Sequence, residues 1–276
     1  MCIRDSNIAC TALLLPFHRQ LVKLVKAVVP GDAEERELSV LDDRFLSSPS
    51  LALERAHDAV VQMGEFARDN YRLAVELIWK FDAKKLERLN ETEVALDKLE
   101  GLLDNYLVKL TDRALTAEES TRVSELLHTL SDFERIGDYA VNVSESAVVL
   151  HDRNITFSPQ ARAELERLTA AVGETLDKTV ACYQSRQRTL AVQVEPLEEV
   201  VDLIAATLKN RHVERLKAGE CTIELGTQFL ELLINLERMS DHCSNVALHI
   251  LRQTSSPDDK VRIDSHAYIC LLYTSD

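Results

Sequence analysis

Leu130 to Asn142 reads LSDFERIGDYAVN, and Leu233 to Asn245 reads LINLERMSDHCSN. Aligned without gaps, the two share Leu130/Leu233, Glu134/Glu237, Arg135/Arg238, Asp138/Asp241 and Asn142/Asn245, an offset of 103 residues. Glu, Asp and Asn recur at i, i+4 and i+8. An α-helix turns about 100° per residue, so each four-residue step drifts by only about 40°. Three oxygen-bearing side chains therefore line one stripe of one helix in each copy. Beside it runs a heptad-spaced seam that is apolar and then small. In the first copy it passes from Leu126, Leu130 and Phe133 to Gly137 and Ala140; in the second, from Phe229, Leu233 and Leu236 to Ser240 and Cys243. Such a seam packs helix against helix, and its narrow part lets backbones approach where the acids begin. Like charges at i, i+4 cost an isolated helix about 0.2–0.5 kcal/mol per pair. Water, the adjacent arginine or a bound cation must offset that.

Outward from this pair, the chain of 276 residues is 46% hydrophobic and holds only 7 Gly and 6 Pro. So few breakers leave long uninterrupted elements, and the spacing of apolar residues makes them helices. The predicted segments span about 50–80, 84–113, 117–150, 159–185, 188–217 and 222–253. Thr116 and Glu119 form a capping box for the third. Ser48-Pro49 and Ser158-Pro159 place a cap and a first-turn proline before the first and fourth. Pro196 either kinks the fifth or marks its real start, and Gly219 closes it. No strand is predicted. The second and fifth segments also correspond: Glu93 and Asp97 fall against Glu198 and Asp202, with Leu96/Val201 and Leu103/Leu208 in register. The expected fold class is all-α, as two tandem three-helix bundles over residues 50–155 and 156–254, with short loops making successive helices antiparallel.

The ends read differently. Asn7 to Phe17 is an apolar run followed by His18, Arg19, Lys23 and Lys26. It is shorter than the roughly 20 residues that span a bilayer, and its charges follow the run, unlike a signal peptide. A truncated membrane helix emerging on the cytoplasmic side has this layout; so does an amphipathic leader. Residues 1–29 are expected as the remnant of a last transmembrane helix, with 7–28 projecting as a helix with exposed apolar surface. Residues 30–49 are then a linker and 255–276 a tail. The terminal MCIRDS (1–6) and the stretch from about 269 to 276, ending in CLLYTSD, read as sequence-assembly artefacts.

A formal charge of −14 excludes a nucleic-acid partner, which requires a basic face. The six cysteines stand at 2, 10, 182, 221, 243 and 270, with no CxxC pair, so zinc-knuckle and thioredoxin-like readings fall. A reducing compartment fits them. None of the eight histidines is in HxH or HExxH spacing. No Gly-rich phosphate loop, nucleophile elbow or Cys-His signature is present, and the chain is read as no enzyme.

ExxxD alone says little, because Glu54/Asp58, Glu65/Asp69 and Glu100/Asp104 have the same spacing. Position raises four pairs above the rest. Glu93/Asp97, Glu134/Asp138, Glu198/Asp202 and Glu237/Asp241 occupy equivalent places in the two repeats and flank the apolar seam. Each repeat would then gather four carboxylates, with Asn142 or Asn245 at the margin. All-oxygen sets suit hard divalent cations and also hold iron. The competing reading is a structural network in which Arg135 and Arg238 pair with these acids.

The two signature helices, LSDFERIGDYAVNVSE and LINLERMSDHCSNVALHI, resemble those of PhoU domains, in which E/DxxxD motifs repeat in two three-helix bundles. The likeness covers about residues 50–253. The N-terminal NIACTALLLPFHRQLVKLV with LDDRFLSSPSLAL is similar to the junction in bacterial Na⁺/phosphate cotransporters, where the last membrane helix enters a C-terminal PhoU-like domain. The resemblance implies a regulator of phosphate uptake, with iron, zinc or another divalent cation on the acidic patches. It implies the transporter's membrane domain as partner in cis, and the inner membrane as location of the parent protein, with this part on the cytoplasmic side. A second copy of the chain is a further expected partner. Inorganic phosphate and sodium are ligands of the parent transporter. The alternatives are a free-standing PhoU-type regulator acting through protein contacts, and a helical adaptor with no ion.

Overall fold

The structure is a computed structural model that describes residues 41–253. The readings on residues 1–40 and 254–276, including the projecting helix over 7–28, lie outside the described residues. A 3-10 turn at Asp43–Ser47 leads into α1 (Pro49–Trp79), followed by α2 (Ala83–Thr111), α3 (Ala117–Asp152), α4 (Pro159–Ser185), α5 (Val194–Lys217) and α6 (Ile223–Gln253). A single helical turn, Arg188–Ala191, stands between α4 and α5. Among the described residues there is no strand, and no helix is long and apolar enough to cross a membrane.

The helix ends follow local chemistry. The Thr116 hydroxyl accepts from Glu119 N–H while the Glu119 carboxylate accepts from Thr116 N–H, completing the capping box of α3. Ser158 accepts from Ala161 N–H at the start of α4. Ser48 holds the cap position of α1 with extended backbone but makes no side-chain cap bond. Asp82, which the sequence reading passed over, caps α2 through Lys84 N–H. The fifth predicted segment breaks at residues 192–193, so Pro196 lies in the first turn of α5. There its missing N–H costs nothing. Gly219 adopts φ +71°, its N–H bonding Leu216 O while Glu220 N–H reaches back to Arg215 O. This is the paired closure that a left-handed residue after a helix permits.

From Asp43 onward the described chain forms one compact unit. Helices α1, α2 and α3 pack on one another, as do α4, α5 and α6, and the two groups meet through α3 against α6 and α1 against α4. The α1–α3 contact is the most extensive. It is close because Gly64 faces Phe133: a Cβ on Gly64 would come within 2.8 Å of the ring. Phe133 is fully buried and its ring stands edge-on to Tyr183 of α4, centroids 5.6 Å apart. Gly64→Ala is therefore expected to lower stability by about 1–3 kcal/mol through overpacking. Urea denaturation measures this, and an unchanged midpoint would show that the ring moves aside freely.

The α3–α6 seam is antiparallel and nearly twofold. Asn142 Nδ2 donates to Asn235 Oδ1 at 3.5 Å, and Asn245 Nδ2 donates to Asp132 Oδ1 at 3.3 Å. The repeat offset carries each contact onto the other. Tyr139 stacks on His242, its own repeat mate, with centroids 5.8 Å apart, so this pair marks the axis.

Two candidate cation-binding patches

Both acidic stripes face the preceding helix, as the register of the repeats predicts. In the α5–α6 patch, one carboxylate oxygen each from Glu198, Asp202 and Asp241 lies within 4.8 Å of the other two. Among the described residues this is the one acidic, histidine or cysteine group so closely drawn together. Burial pushes Glu198 up to about 7, helped by the charges of Asp202, Glu195 and Asp241. Asp202 and Asp241 are also raised, first by burial; Asp241 and Glu237 add to the shift at Asp202, while Arg238 opposes the one at Asp241. Glu237 stands apart from this trio because Lys209 Nζ lies 2.5 Å from its Oε2. Lys209 follows Asp202 by seven residues, two helical turns on, and so shares its face of α5.

In the α2–α3 patch, Glu93 is raised to about 7 by burial and then by the charges of Asp97 and Asp138. Burial also raises Glu134, followed by its contact with Asp138, and raises Asp97, with Asp138 again adding. Glu100 shifts the same way, through burial and Asp97. The helices approach closely here because residue 137 is glycine: a Cβ there would lie 3.0 Å from Leu96 Cδ1 and 3.2 Å from Glu93 Oε2. Asn70 of α1, absent from the sequence reading, donates Nδ2 to Glu93 Oε2 at 3.1 Å. It is fully buried, and its Oδ1 has no hydrogen-bond partner. A buried donor to a carboxylate favours the charged form, and it opposes the rise at Glu93. No spacing rule within α2 or α3 would have found it, because it comes from a third helix.

The expected margin residues lie elsewhere. Asn142 and Asn245 are engaged across the α3–α6 seam. The eight-residue step from Glu134 or Glu237 accumulates a drift of about 80°, enough to carry the amide from the acidic stripe toward the neighbouring helix. The arginines do not close the patches either. Arg135 Nε lies 3.7 Å from Glu134 and its Nη1 3.9 Å from Asp138, while Arg238 lies 3.8 Å from Asp241, all from side chains more than half exposed. Long, exposed pairs of this kind contribute about 0–1 kcal/mol. Burial is the first cause of the raised carboxyls, and neighbouring like charges add to it. Oxygen atoms of this number and spacing suit a divalent cation, and removing the mutual repulsion would be its contribution.

The comparisons with known proteins agree with the fold. The sequence pattern described as the PhoU domain matches twice, over residues 60–147 and 165–250. The chain is 25% identical over 200 residues to a Xylella fastidiosa protein named as a phosphate-specific transport system accessory protein PhoU homolog, covering 72% of this chain and 83% of that one. The crystal structure of PhoU from Pseudomonas aeruginosa superposes with a TM-score of 0.68 at 22% identity, covering 73% of this chain and 98% of that one. A Salmonella typhimurium protein named for inorganic phosphate export, YjbB, is 22% identical over 259 residues, which is 92% of this chain but 48% of that protein. With both signature helices inside the two matched segments, the chain belongs to the PhoU domain family.

Proposed function

We propose that this chain is a regulator of phosphate transport that acts through protein contacts, with divalent cations held on its two acidic patches and no catalytic step of its own. The observation that carries the ion-binding part is the trio Glu198, Asp202 and Asp241, each offering one carboxylate oxygen within 4.8 Å of the other two. The regulatory part rests on the named roles of the relatives, most of them accessory proteins of phosphate transport. The test has two arms. Purified chain, prepared without chelator, is titrated with Mn²⁺, Fe²⁺ and Zn²⁺. A variant altered in both patches, Glu198→Gln/Asp202→Asn with Glu93→Gln/Glu134→Gln, should bind at least about 100-fold more weakly, since even outer-shell partners of a metal change affinity 10–100-fold. Equal binding by wild type and variant would sink the ion site. In the second arm, the chain is expressed in a bacterium lacking its own PhoU and labelled phosphate uptake is followed. Restrained uptake supports the regulatory role, and unaltered uptake refutes it in that setting.

A second reading has one observation in its favour. The alignment with the phosphate export protein is longer than the described residues and takes in the segment preceding α1. On that reading the domain is attached to a sodium-coupled phosphate cotransporter and meets its membrane part in cis, at the cytoplasmic face of the inner membrane. A second copy of the chain is the partner proposed for the free-standing form. The coding sequence upstream of Asn7 discriminates between the two: apolar spans there favour the attached form.

A further inference from the structure

The two acidic patches share one register but differ at one corner. In the α2–α3 patch the carboxyl of Glu134 is hydrogen-bonded to that of Asp138, one turn on. In the α5–α6 patch the equivalent Glu237 is taken by Lys209 of α5, whose Nζ lies 2.5 Å from Glu237 Oε2. The offset of 105 that relates α2 to α5 puts Asp104 at the place of Lys209 in the first repeat. One corner of an otherwise repeated arrangement thus carries opposite charge in its two copies.

The influence of Lys209 reaches past Glu237. Burial raises the carboxyls of Asp202 and Asp241, and the Lys209 charge works against both shifts. These are two of the three side chains whose oxygens lie within 4.8 Å of one another. The ammonium is therefore a cation held at the edge of the trio by its own chain, and it shows that this corner accepts positive charge. A divalent ion at the trio meets two consequences. Glu237 is already engaged, so three carboxylates face the ion where the repeat supplies four. A fixed positive charge also stands beside it. Carboxylate sites set their affinity through the number and charge of their ligands, so both effects weaken binding.

We propose that Lys209 sets the ion affinity of the α5–α6 patch: as a tethered counter-charge it withholds Glu237 from an ion held by Glu198, Asp202 and Asp241, and the patch fills only at higher ion concentration. This rests on the ion-binding reading above. The test titrates Mn²⁺ calorimetrically into the full chain carrying Glu93→Gln/Glu134→Gln, which silences the α2–α3 patch. Adding Lys209→Met should tighten binding by about 10-fold or more, the scale on which groups around a metal's ligands act. Lys209→Arg keeps the charge and should stay within about 3-fold of the starting chain. Adding Glu237→Gln to Lys209→Met should abolish most of the gain, because the fourth carboxylate is then missing. The Lys209 side chain is 37% exposed, so its replacement does not threaten the fold. Mn²⁺ binding in the starting chain that is indifferent to Lys209→Met overturns this proposal and leaves the ion site standing. A gain that survives Glu237→Gln in full overturns the withholding of Glu237. No binding by any of these chains overturns the ion reading, and the proposal falls with it.

Discussion

Phe133→Ala is expected to cost about 3–5 kcal/mol of folding stability. The ring is fully buried on α3, with the Gly64 backbone of α1 against its face and Tyr183 of α4 against its edge. Those three helices are fixed by other contacts. Tyr71 of α1 donates to Thr169 O of α4 at 2.5 Å, and Arg186 at the end of α4 bonds Glu54 of α1 at 3.1 and 3.0 Å. Gly64 has no side chain to fall into the space, so the cavity persists and its cost adds to the lost transfer energy. Domains of this kind have about 5–15 kcal/mol in total, and the variant would stand near its unfolding threshold. The measurement is the urea midpoint at unchanged m-value. A loss under about 1 kcal/mol would mean the α1–α3 contact collapses readily, against the close approach at Gly64.

The second large effect is a pH dependence created by the patches. Glu93 and Glu198 have folded-state values near 7, against 4.5 for an unperturbed glutamate. Between those values the folded chain binds more protons than the unfolded chain. Stability therefore falls as pH rises from about 4.5 to about 7 and stays low above it. A full shift of this size would be about 3 kcal/mol per group; both side chains are half open to water, and screening leaves about 1 kcal/mol each. His57 works the other way. Burial, then the Arg186 charge, holds it down to about 4 from 6.5, so it adds stability as pH rises through that interval. The quantity to measure is the difference between wild type and Glu93→Gln/Glu198→Gln, where the His57 contribution cancels. The variant should match wild type near pH 4 and exceed it by about 2 kcal/mol above pH 7. A divalent cation at 100 times its Kd should restore about 2.7 kcal/mol to wild type at pH 8 and less to the variant. Parallel profiles would mean that the carboxyls are relaxed by water in solution.

Much of this was legible in the chain. The duplicated ERxxDxxxN pattern placed Glu134/Asp138 and Glu237/Asp241 on equivalent helices at an offset of 103, and the matching pairs on α2 and α5 followed at an offset of 105. The capping box at Thr116 and the choice Pro196 posed were readable because both are local. What escaped came from contacts between helices that no periodicity records. Lys209 intrudes on Glu237, and Asn70 enters from α1. The asparagines were misplaced for a different reason. An eight-residue step treated as one stripe ignores the accumulated rotation, and a real helix turns the last residue onto another neighbour.

The twofold contact of α3 with α6 is the geometry two copies of one unit adopt when they pair, each residue meeting its mate's counterpart. Joined in a single chain, that pairing no longer depends on protein concentration; the connection through α4 and α5 supplies an effective concentration that separate units would have to reach in bulk. The tether also lifts a constraint. In a pair of identical units every substitution appears twice, whereas here each copy can change alone. A lysine can thus stand beside one acidic patch at position 209 while an aspartate, Asp104, keeps the corresponding place in the other. A symmetric frame has become a carrier for two unlike sites.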